Sequence, residues 1–326
     1  MAKYKVVVTD YVFPNIEPER EILEPIGAEV ISAQCHGVEE LIHFTKDADG
    51  ILNCYFKPIG EDIFKASPKL KVVVRYGIGI DTIDIPAATK HGVMVANVPD
   101  YCLDEVSDHT IALLFALSRK IVLSDKRVKS SDYSISYLKP LFKLRGKTIG
   151  FLGFGRIAKL VAEKISAFGF RFIFYDPYMD KKFENAEQVF LDELLIKSDF
   201  LLIHSPETEE TKHLLNREKL LLMKPTAYII NTARGGIIDT EVLIEMLKTN
   251  KLAGAALDVV EGVHQISSEH PFCSMDNVIL TPHSAWYSEE SIRELQTKAA
   301  KEIFRVLRGE KPKFLLNPQV MGGKKP

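Results

Sequence analysis

Residues Thr148 to Ala162, TIGFLGFGRIAKLVA, decide how the rest of the chain is read. The apolar run Thr148–Leu152 ends in Gly153-Phe154-Gly155-Arg156-Ile157-Ala158, and Ile157, Val161, Ile165 and Phe168 then recur at helical spacing. A strand, a glycine turn and a helix in that order fit the dinucleotide-binding fingerprint G-x-G-x-x-G/A, with alanine in the third place. Gly153 permits the tight turn. Gly155 lets the backbone approach a pyrophosphate, which sits at the positive end of the helix, and Ala158 keeps helix and strand close. Asp176 closes the next strand about 20 residues on, where a carboxylate binds both adenosine-ribose hydroxyls. A carboxylate there repels a 2′-phosphate, and Pro177 and Tyr178 supply no cation to hold one. The pattern therefore points to NAD rather than NADP, with Lys181 and Lys182 as the nearest cations, which also read as a solvated loop.

Around this stretch the chain alternates short apolar runs with helix-compatible segments. Before it lie Lys5–Thr9, Ala28–Ile31, Gly50–Leu52, Lys71–Val74 and Val93–Ala96. After it lie Arg171–Tyr175, Phe200–Ile203, Ala227–Ile230, Ala253–Leu257 and Val278–Leu280. The runs are near-continuously apolar, as strands of a parallel sheet covered on both faces should be. The fold class is α/β. A helix is predicted from about Asp104 to Lys120, a polar loop over Lys126–Ser136, and a last helix from Ser288 to Arg308 stopped by Gly309.

Composition sets the outer limits. With 326 residues the chain is long enough for about two domains. Lys plus Arg is 42 and Asp plus Glu is 44, a net charge of −2, which argues against a nucleic-acid binder built on a basic face. No run approaches the roughly 18 apolar residues of a membrane span. The start, MAKYKVVVTD, enters a strand-like segment without a signal-peptide pattern. Cys35, Cys54, Cys102 and Cys273 have no metal or redox spacing, and the expected home is a reducing cytoplasm. No metal-ligand pattern, nucleophile elbow or P-loop is present.

Three segments fall at strand ends of the second series, where open α/β sheets bind ligands: Ile203–Leu215, Asn231–Asp239 and Thr281–Glu289. Arg234, between a strongly apolar strand and two glycines, reads either as a fork for a substrate carboxylate or as a surface or capping arginine. His283 reads either as a proton donor near neutral pH or as a structural histidine. His204 is expected to shape the cofactor pocket, and His109 to be structural. Asp258 either holds the nicotinamide end of a cofactor or caps the following turn.

These segments in this order, from RYGIGIDTID (Arg75–Asp84) to TPHSAWYSE (Thr281–Glu289), closely resemble the D-isomer-specific 2-hydroxyacid dehydrogenase family. NVPDYCLDEVSDHTIALLFALSRK and TPHSAWYSE look most like its C-terminal-binding-protein-like branch. The resemblance implies a Rossmann NAD-binding domain, residues 100–287, inserted in a flavodoxin-like substrate domain, residues 1–99 and 288–326. It implies a homodimer through the nucleotide domain and a small 2-oxo or 2-hydroxy acid as substrate.

The same resemblance assigns roles. Arg234 would bind the substrate's carboxylate and carbonyl, and His283 would exchange the proton. Backbone amides of Tyr76, Gly77, Ile78 and Gly79 would cradle the carboxylate, and Trp286 would line the pocket or pack as a domain-interface aromatic. Arg156, Ile157, Asp176, Thr232 and Asp258 would contact the cofactor, with His204, Pro206 and Ala233 beside them.

The chain departs from the family at one position. The family places a glutamate five residues after the aspartate of its LDV motif, where it holds the histidine and raises its pKa. Here that position is Val263, followed by His264, and Glu261 is the nearby carboxylate that would have to reach in. A histidine without this partner holds its proton less well, which implies weaker reduction or an acid-shifted optimum. An NAD(H)-sensing binding module and a phosphoglycerate-type dehydrogenase are the alternative readings.

Overall fold

The computed structural model describes residues 2–54, 58–179, 183–262 and 266–322. Tyr55, Lys181, Lys182, Val263 and His264 therefore lie outside the described residues. The chain divides into two compact units, residues 1–101 with 288–326, and residues 102–287.

The first unit is built on β1 (Tyr4–Val8), β2 (Ala28–Ser32), β3 (Gly50–Asn53), β4 (Val72–Arg75) and β5 (Met94–Ala96), all parallel, in the order β2-β1-β3-β4-β5. This is the flavodoxin-like order, with its switch point between β1 and β3. Helices α1 (Glu17–Leu23), α2 (Val38–Thr45), α3 (Glu61–Ala66) and α4 (Ile85–Lys90) connect the strands. Val7, Ile51, Val73 and Val95 face a core with Leu41, Ile63, Phe64 and Ala88 from α2, α3 and α4. Alternation along each strand sends the neighbouring residues to the opposite face. There the last helix of the chain, α11 (Glu289–Leu307), covers β3 so closely that a side chain at Gly50 would meet Ile303 at 3.1 Å.

The second unit holds β6 (Thr148–Leu152), β7 (Arg171–Tyr175), β8 (Glu187–Gln188), β9 (Phe200–Ile203), β10 (Tyr228–Asn231), β11 (Gly254–Leu257) and β12 (Val278–Leu280). They form one parallel sheet ordered β12-β11-β10-β9-β6-β7-β8. The order reverses between β6 and β9, the Rossmann switch point. Helices α5 (Leu103–Ser118), α6 (Ile121–Lys129), α7 (Arg156–Lys164), α8 (Leu191–Lys197), α9 (Arg217–Leu220) and α10 (Thr240–Lys248) belong to this unit, and α11 (Glu289–Leu307) returns to the first. Ile149, Phe151, Phe172, Phe174, Leu202 and Ile230 pack toward α5 and α7. Leu152, Ile173, Leu201, Ile203, Ile229 and Leu257 pack toward α8 and α10 on the other face. Fully burying each such side chain contributes roughly 1.5–3 kcal/mol, so the sheet is the main source of stability here.

Two local expectations need correction. The polar segment beginning at Lys126 is not all loop, because α6 runs to Lys129. Lys120 at φ +52° ends the preceding helix, and the Lys129–Asp125 pair, 2.7 Å at i,i+4, supports the new one in water. The predicted helix over 104–120 accordingly stops at Ser118. The short edge strand β8 was not predicted, because Glu187 and Gln188 are both exposed and leave no apolar run. The final helix begins with Ser288 as N-cap in a capping box with Ser291, and Gly309 at φ +86° follows its end.

Candidate active site

In the second unit the chemistry-bearing loops leave the carboxyl ends of β6, β7, β9, β10, β11 and β12. Gly153 turns at φ +85°, and a side chain there would meet the Ser205 amide nitrogen at 2.9 Å. Gly155 faces open space and is the N-cap of α7, with no side chain capping the helix. The amides of Gly155, Arg156 and Ile157 meet no protein acceptor among the described residues. Ala158 is fully buried beneath them. Asp176 accepts from the Phe154 amide through Oδ2, 3.0 Å, and from the Tyr178 amide through Oδ1, 3.1 Å. A carboxylate is thus fixed beside an uncapped helix N-terminus, and this donor and acceptor set fits the pyrophosphate and ribose of NAD.

His204 follows β9. Its ring stacks on Phe151 at 6.1 Å, its Nε2 is buried with no hydrogen-bond partner among the described residues, and burial pushes its pKa down to about 4. The imidazole is therefore neutral at physiological pH. Pro206 accepts from the Thr211 hydroxyl at 2.7 Å, which pins the loop.

Arg234 follows β10 in a loop shaped by Asn231, a residue the sequence reading did not single out. Asn231 is fully buried, donates from Nδ2 to the Arg234 carbonyl at 2.8 Å and accepts the Ala233 amide at 3.0 Å. The side chain thereby closes the turn that aims Arg234, an Asx-type turn at a strand end. An Asn after an apolar run and before Thr-Ala-Arg-Gly-Gly was the available signal. Thr232 pairs with Thr110 of α5 through the hydroxyls, 2.8 Å.

Asp258 is buried at the end of β11, and its carboxylate grips the loop that carries His283. Oδ1 accepts the Thr281 hydroxyl at 2.5 Å and the Ser284 amide at 2.9 Å, and Oδ2 accepts the Ala285 amide at 3.0 Å. These bonds go to the loop after β12, not to the turn that follows Asp258. His283 itself is exposed at φ +54°, and its amide donates to the carbonyls of Asp258 and Thr281, 3.0 Å each. Trp286 lies half-buried with its ring 5.9 Å from Tyr287.

Glu261, the carboxylate expected to reach His283, instead pairs with His213. His213 Nε2 and Glu261 Oε1 lie 2.5 Å apart. The reason is backbone packing. Gly235 sits so close to 260–261 that a side chain on it would meet the Glu261 amide at 2.3 Å, and His213 is tied to the same turn through Gly236. The position of Val263 is outside the described residues, so the family departure has no structural counterpart here.

In the first unit the corresponding loop follows β4. Gly77 adopts φ +133°, and a side chain there would fall 1.6 Å from Arg75 Nη1, so the position demands glycine. The Asn97 amide ties down the Ile78 carbonyl at 2.7 Å. The amides of Gly77, Ile78 and Gly79 meet no protein acceptor among the described residues. Tyr76 departs from the expected cradle. Its amide is spent on the Asn53 carbonyl at 2.8 Å, and its buried hydroxyl donates to Glu19 at 2.6 Å. Its amide continues the strand pairing of β4 on β3 instead of facing a ligand.

Among the described residues no His, Cys, Asp and Glu cluster forms a metal site, and no helix is long and apolar enough to cross a membrane. Cavity depth does not mark the site. A cavity of about 730 Å³ lies at the opposite end of the second sheet, among Leu117, Tyr137, Phe142, Tyr228 and Phe272.

The geometry defines a class, a dinucleotide-binding α/β oxidoreductase with an arginine and a histidine at the ends of β10 and β12, the two strands that flank β11. Comparison with known proteins narrows it. Residues 111–285 match the family described as D-isomer specific 2-hydroxyacid dehydrogenase, NAD binding domain. The chain is 40% identical over 293 residues to a glyoxylate reductase of Thermofilum pendens, covering 87% of this chain and 85% of that one. It is 38% identical over 317 residues to a D-3-phosphoglycerate dehydrogenase of Methanocaldococcus jannaschii, but spans only 59% of that protein. D-lactate dehydrogenase from Aquifex aeolicus, solved with NAD and lactic acid, superposes with a TM-score of 0.84 at 27% identity, covering 98% of each chain. The chain belongs to the D-isomer specific 2-hydroxyacid dehydrogenase family, NAD-dependent oxidoreductases that interconvert 2-oxo and 2-hydroxy acids.

Proposed function

We propose that this chain reduces a small 2-oxo acid of the glyoxylate class to its 2-hydroxy acid, with Arg234 and His283 as the reacting side chains. The single observation that carries the reading is the pair of loops at the ends of β10 and β12. Buried Asn231 aims Arg234 and buried Asp258 holds the loop of His283, both at the carboxyl edge of a sheet with a dinucleotide loop. The glyoxylate reductase of Thermofilum pendens supports the choice of substrate size.

NADH, when bound, supplies the hydride that reaches the carbonyl carbon. Arg234 presents two parallel N–H donors to the carboxylate and carbonyl of the 2-oxo acid and stabilises the charge that develops on oxygen. His283 donates a proton to that oxygen and takes it back in the reverse direction. The amides of Gly77, Ile78 and Gly79 are anion-binding donors of the first unit. Gly153, Gly155, Arg156 and Ile157 hold the pyrophosphate, and Asp176 the adenosine ribose. His204, Pro206, Thr232 and Ala233 wall the remainder of the cofactor site.

The protein acts as a homodimer through its nucleotide-binding unit. Ile121, Val122, Tyr133, Ile135 and Phe142 are exposed on one continuous segment, and Tyr133 is 82% accessible, a surface that a second copy would bury. Four cysteines, none of them in a disulfide among the described residues and three of them buried, suit a reducing cytoplasm. Placement in the C-terminal-binding-protein-like branch rests on sequence segments alone.

The test is NADH consumption across glyoxylate, pyruvate, hydroxypyruvate and phenylpyruvate from acid to neutral pH. Turnover of one of them, abolished in His283→Ala and in Arg234→Ala while NADH binding survives, is the expected result. Undiminished turnover in either variant overturns the assignment.

A further inference from the structure

We propose that His109 and Thr281 are positioning residues for the catalytic histidine, acting through Asp258. The inference rests on the reading of His283 as proton donor and adds the machinery that holds it.

The argument is a proton inventory. Thr281 Oγ1 lies 2.5 Å from Asp258 Oδ1, and a carboxylate only accepts, so the one hydroxyl proton of Thr281 points to Asp258. His109 Nε2 lies 3.0 Å from the same Oγ1. With its proton committed, Thr281 is the acceptor there, so His109 carries its proton on Nε2. A directed chain results: His109 Nε2–H to Thr281, and Thr281 O–H to Asp258. His109 Nε2 also stands 3.6 Å from Asp258 Oδ1, close enough to orient the carboxylate electrostatically. The other bonds of that carboxylate go to the amides of Ser284 and Ala285, and the Asp258 carbonyl receives the His283 amide.

These bonds bracket a residue in the left-handed region. His283 sits at φ +54°, where a side chain is unfavourable and persists only when neighbours over-determine the backbone. His109 comes from the middle of α5, a rigid 16-residue helix, so the chain transmits a fixed reference point to a loop that would otherwise relax. The sequence reading took His109 as structural. Its contacts give it a functional consequence.

The experiment compares His109→Ala, His109→Gln, Thr281→Val and Thr281→Ser with the full-length enzyme. The expected result is a roughly tenfold fall in kcat for His109→Ala and Thr281→Val, with the NADH dissociation constant within twofold of wild type. Glutamine at 109 restores a donor and serine at 281 restores the hydroxyl, so both should return kcat to within about threefold. With 4-deuterated NADH the primary isotope effect should rise in the two impaired variants, because the chemical step becomes more rate-limiting. In ¹⁵N-histidine spectra of the wild type, the resonance missing from His109→Gln should show protonation at Nε2. A folded Thr281→Val with unchanged kcat and isotope effect overturns the proposal, as does a His109 protonated at Nδ1 alone. Should His109→Ala fail to fold, Thr281→Val decides. Turnover surviving in His283→Ala would instead defeat the underlying reading.

Discussion

Replacing Asn231 by alanine tests whether a buried amide aims the substrate-binding arginine. The substitution removes the donor to the Arg234 carbonyl and the acceptor of the Ala233 amide from a fully buried position at the end of β10. A typical intramolecular hydrogen bond contributes about 0.5–1.5 kcal/mol net, so losing two costs about 1–3 kcal/mol. In a unit of this size that lowers Tm by roughly 2–12 °C. If the same loosening lets Arg234 leave its position, each 1.36 kcal/mol is a tenfold loss, and kcat/KM falls roughly 5- to 150-fold.

The two readouts separate scaffold from site. Thermal unfolding reports the first. Steady-state reduction of the best 2-oxo acid, with NADH binding followed by fluorescence, reports the second. The dinucleotide loop lies at β6 and only the Ala233 amide is freed on the cofactor side, so NADH affinity should fall much less than kcat/KM. Asn231→Asp keeps an acceptor for Ala233 but sets a carboxylate oxygen against the Arg234 carbonyl, and should be no better than alanine. A folded Asn231→Ala with kcat/KM within about twofold of wild type would refute the claim that this side chain positions Arg234.

Gly77→Ala forces a side chain into φ +133° and onto the Arg75 guanidinium, so KM for the 2-oxo acid should rise at least about tenfold while NADH affinity holds, as read from initial rates. Asp176→Ala removes the carboxylate opposing a 2′-phosphate, and the ratio of kcat/KM for NADH over NADPH should collapse toward unity. His204 has its pKa depressed by burial from 6.5 to about 4, so the unfolded chain binds the proton first as pH falls. Its stabilising contribution is present above pH 6.5 and lost between 6.5 and about 4, so the wild type should lose Tm relative to His204→Gln across that window, and the two profiles should run parallel above it. Glu19 has its carboxyl held above the ordinary range, because burial outweighs hydrogen bonds from Tyr76 and Gln296. Ionised Glu19 therefore costs stability at higher pH, and any Tm advantage of Glu19→Gln should shrink as pH falls toward 4.5.

The parts of this molecule written in apolar periodicity were legible without coordinates. β6, β7, β9 and β12 occur at the residues the sequence predicts, because each is a short apolar run, and β6 and β9 are buried throughout. The dinucleotide loop was legible for a different reason, since Gly153 and Gly155 have backbone roles no other residue fills well. What stayed hidden depends on pairs distant in sequence. Glu261 looks available on the chain, and only the approach of Gly235 to residues 260–261 shows that it is given to His213. Tyr76 looks like part of a ligand cradle, yet its hydroxyl bonds Glu19, 57 residues away, and its amide completes a strand pairing. Helix α6 was missed because its polar, lysine-rich sequence carries no buried residue to betray a face.

The two units share one device for holding reactive loops. In the second, Asn231 and Asp258 are buried polar residues at strand ends whose hydrogen bonds go to the next few residues of the same loop or to the loop of the adjacent strand. In the first, buried Asn53 at the end of β3 donates to Thr9 Oγ1 and Asp10 Oδ1 beyond β1, and accepts the Thr82 hydroxyl beyond β4. Asp10 in turn accepts the Cys54 amide at 2.9 Å. Each such group would cost about 1–3 kcal/mol if buried without partners, so the loops are fixed by the penalty of leaving it unpaired more than by the gain of any one bond. This explains why the supporting residues are small amides and carboxylates: they have several acceptor or donor sites and little conformational entropy to lose. It follows that an apolar isostere such as Asn53→Leu should destabilise the first unit while disordering loops on both neighbouring strands. A hydrogen-exchange measurement that found only one of them affected would show that the loops are held independently.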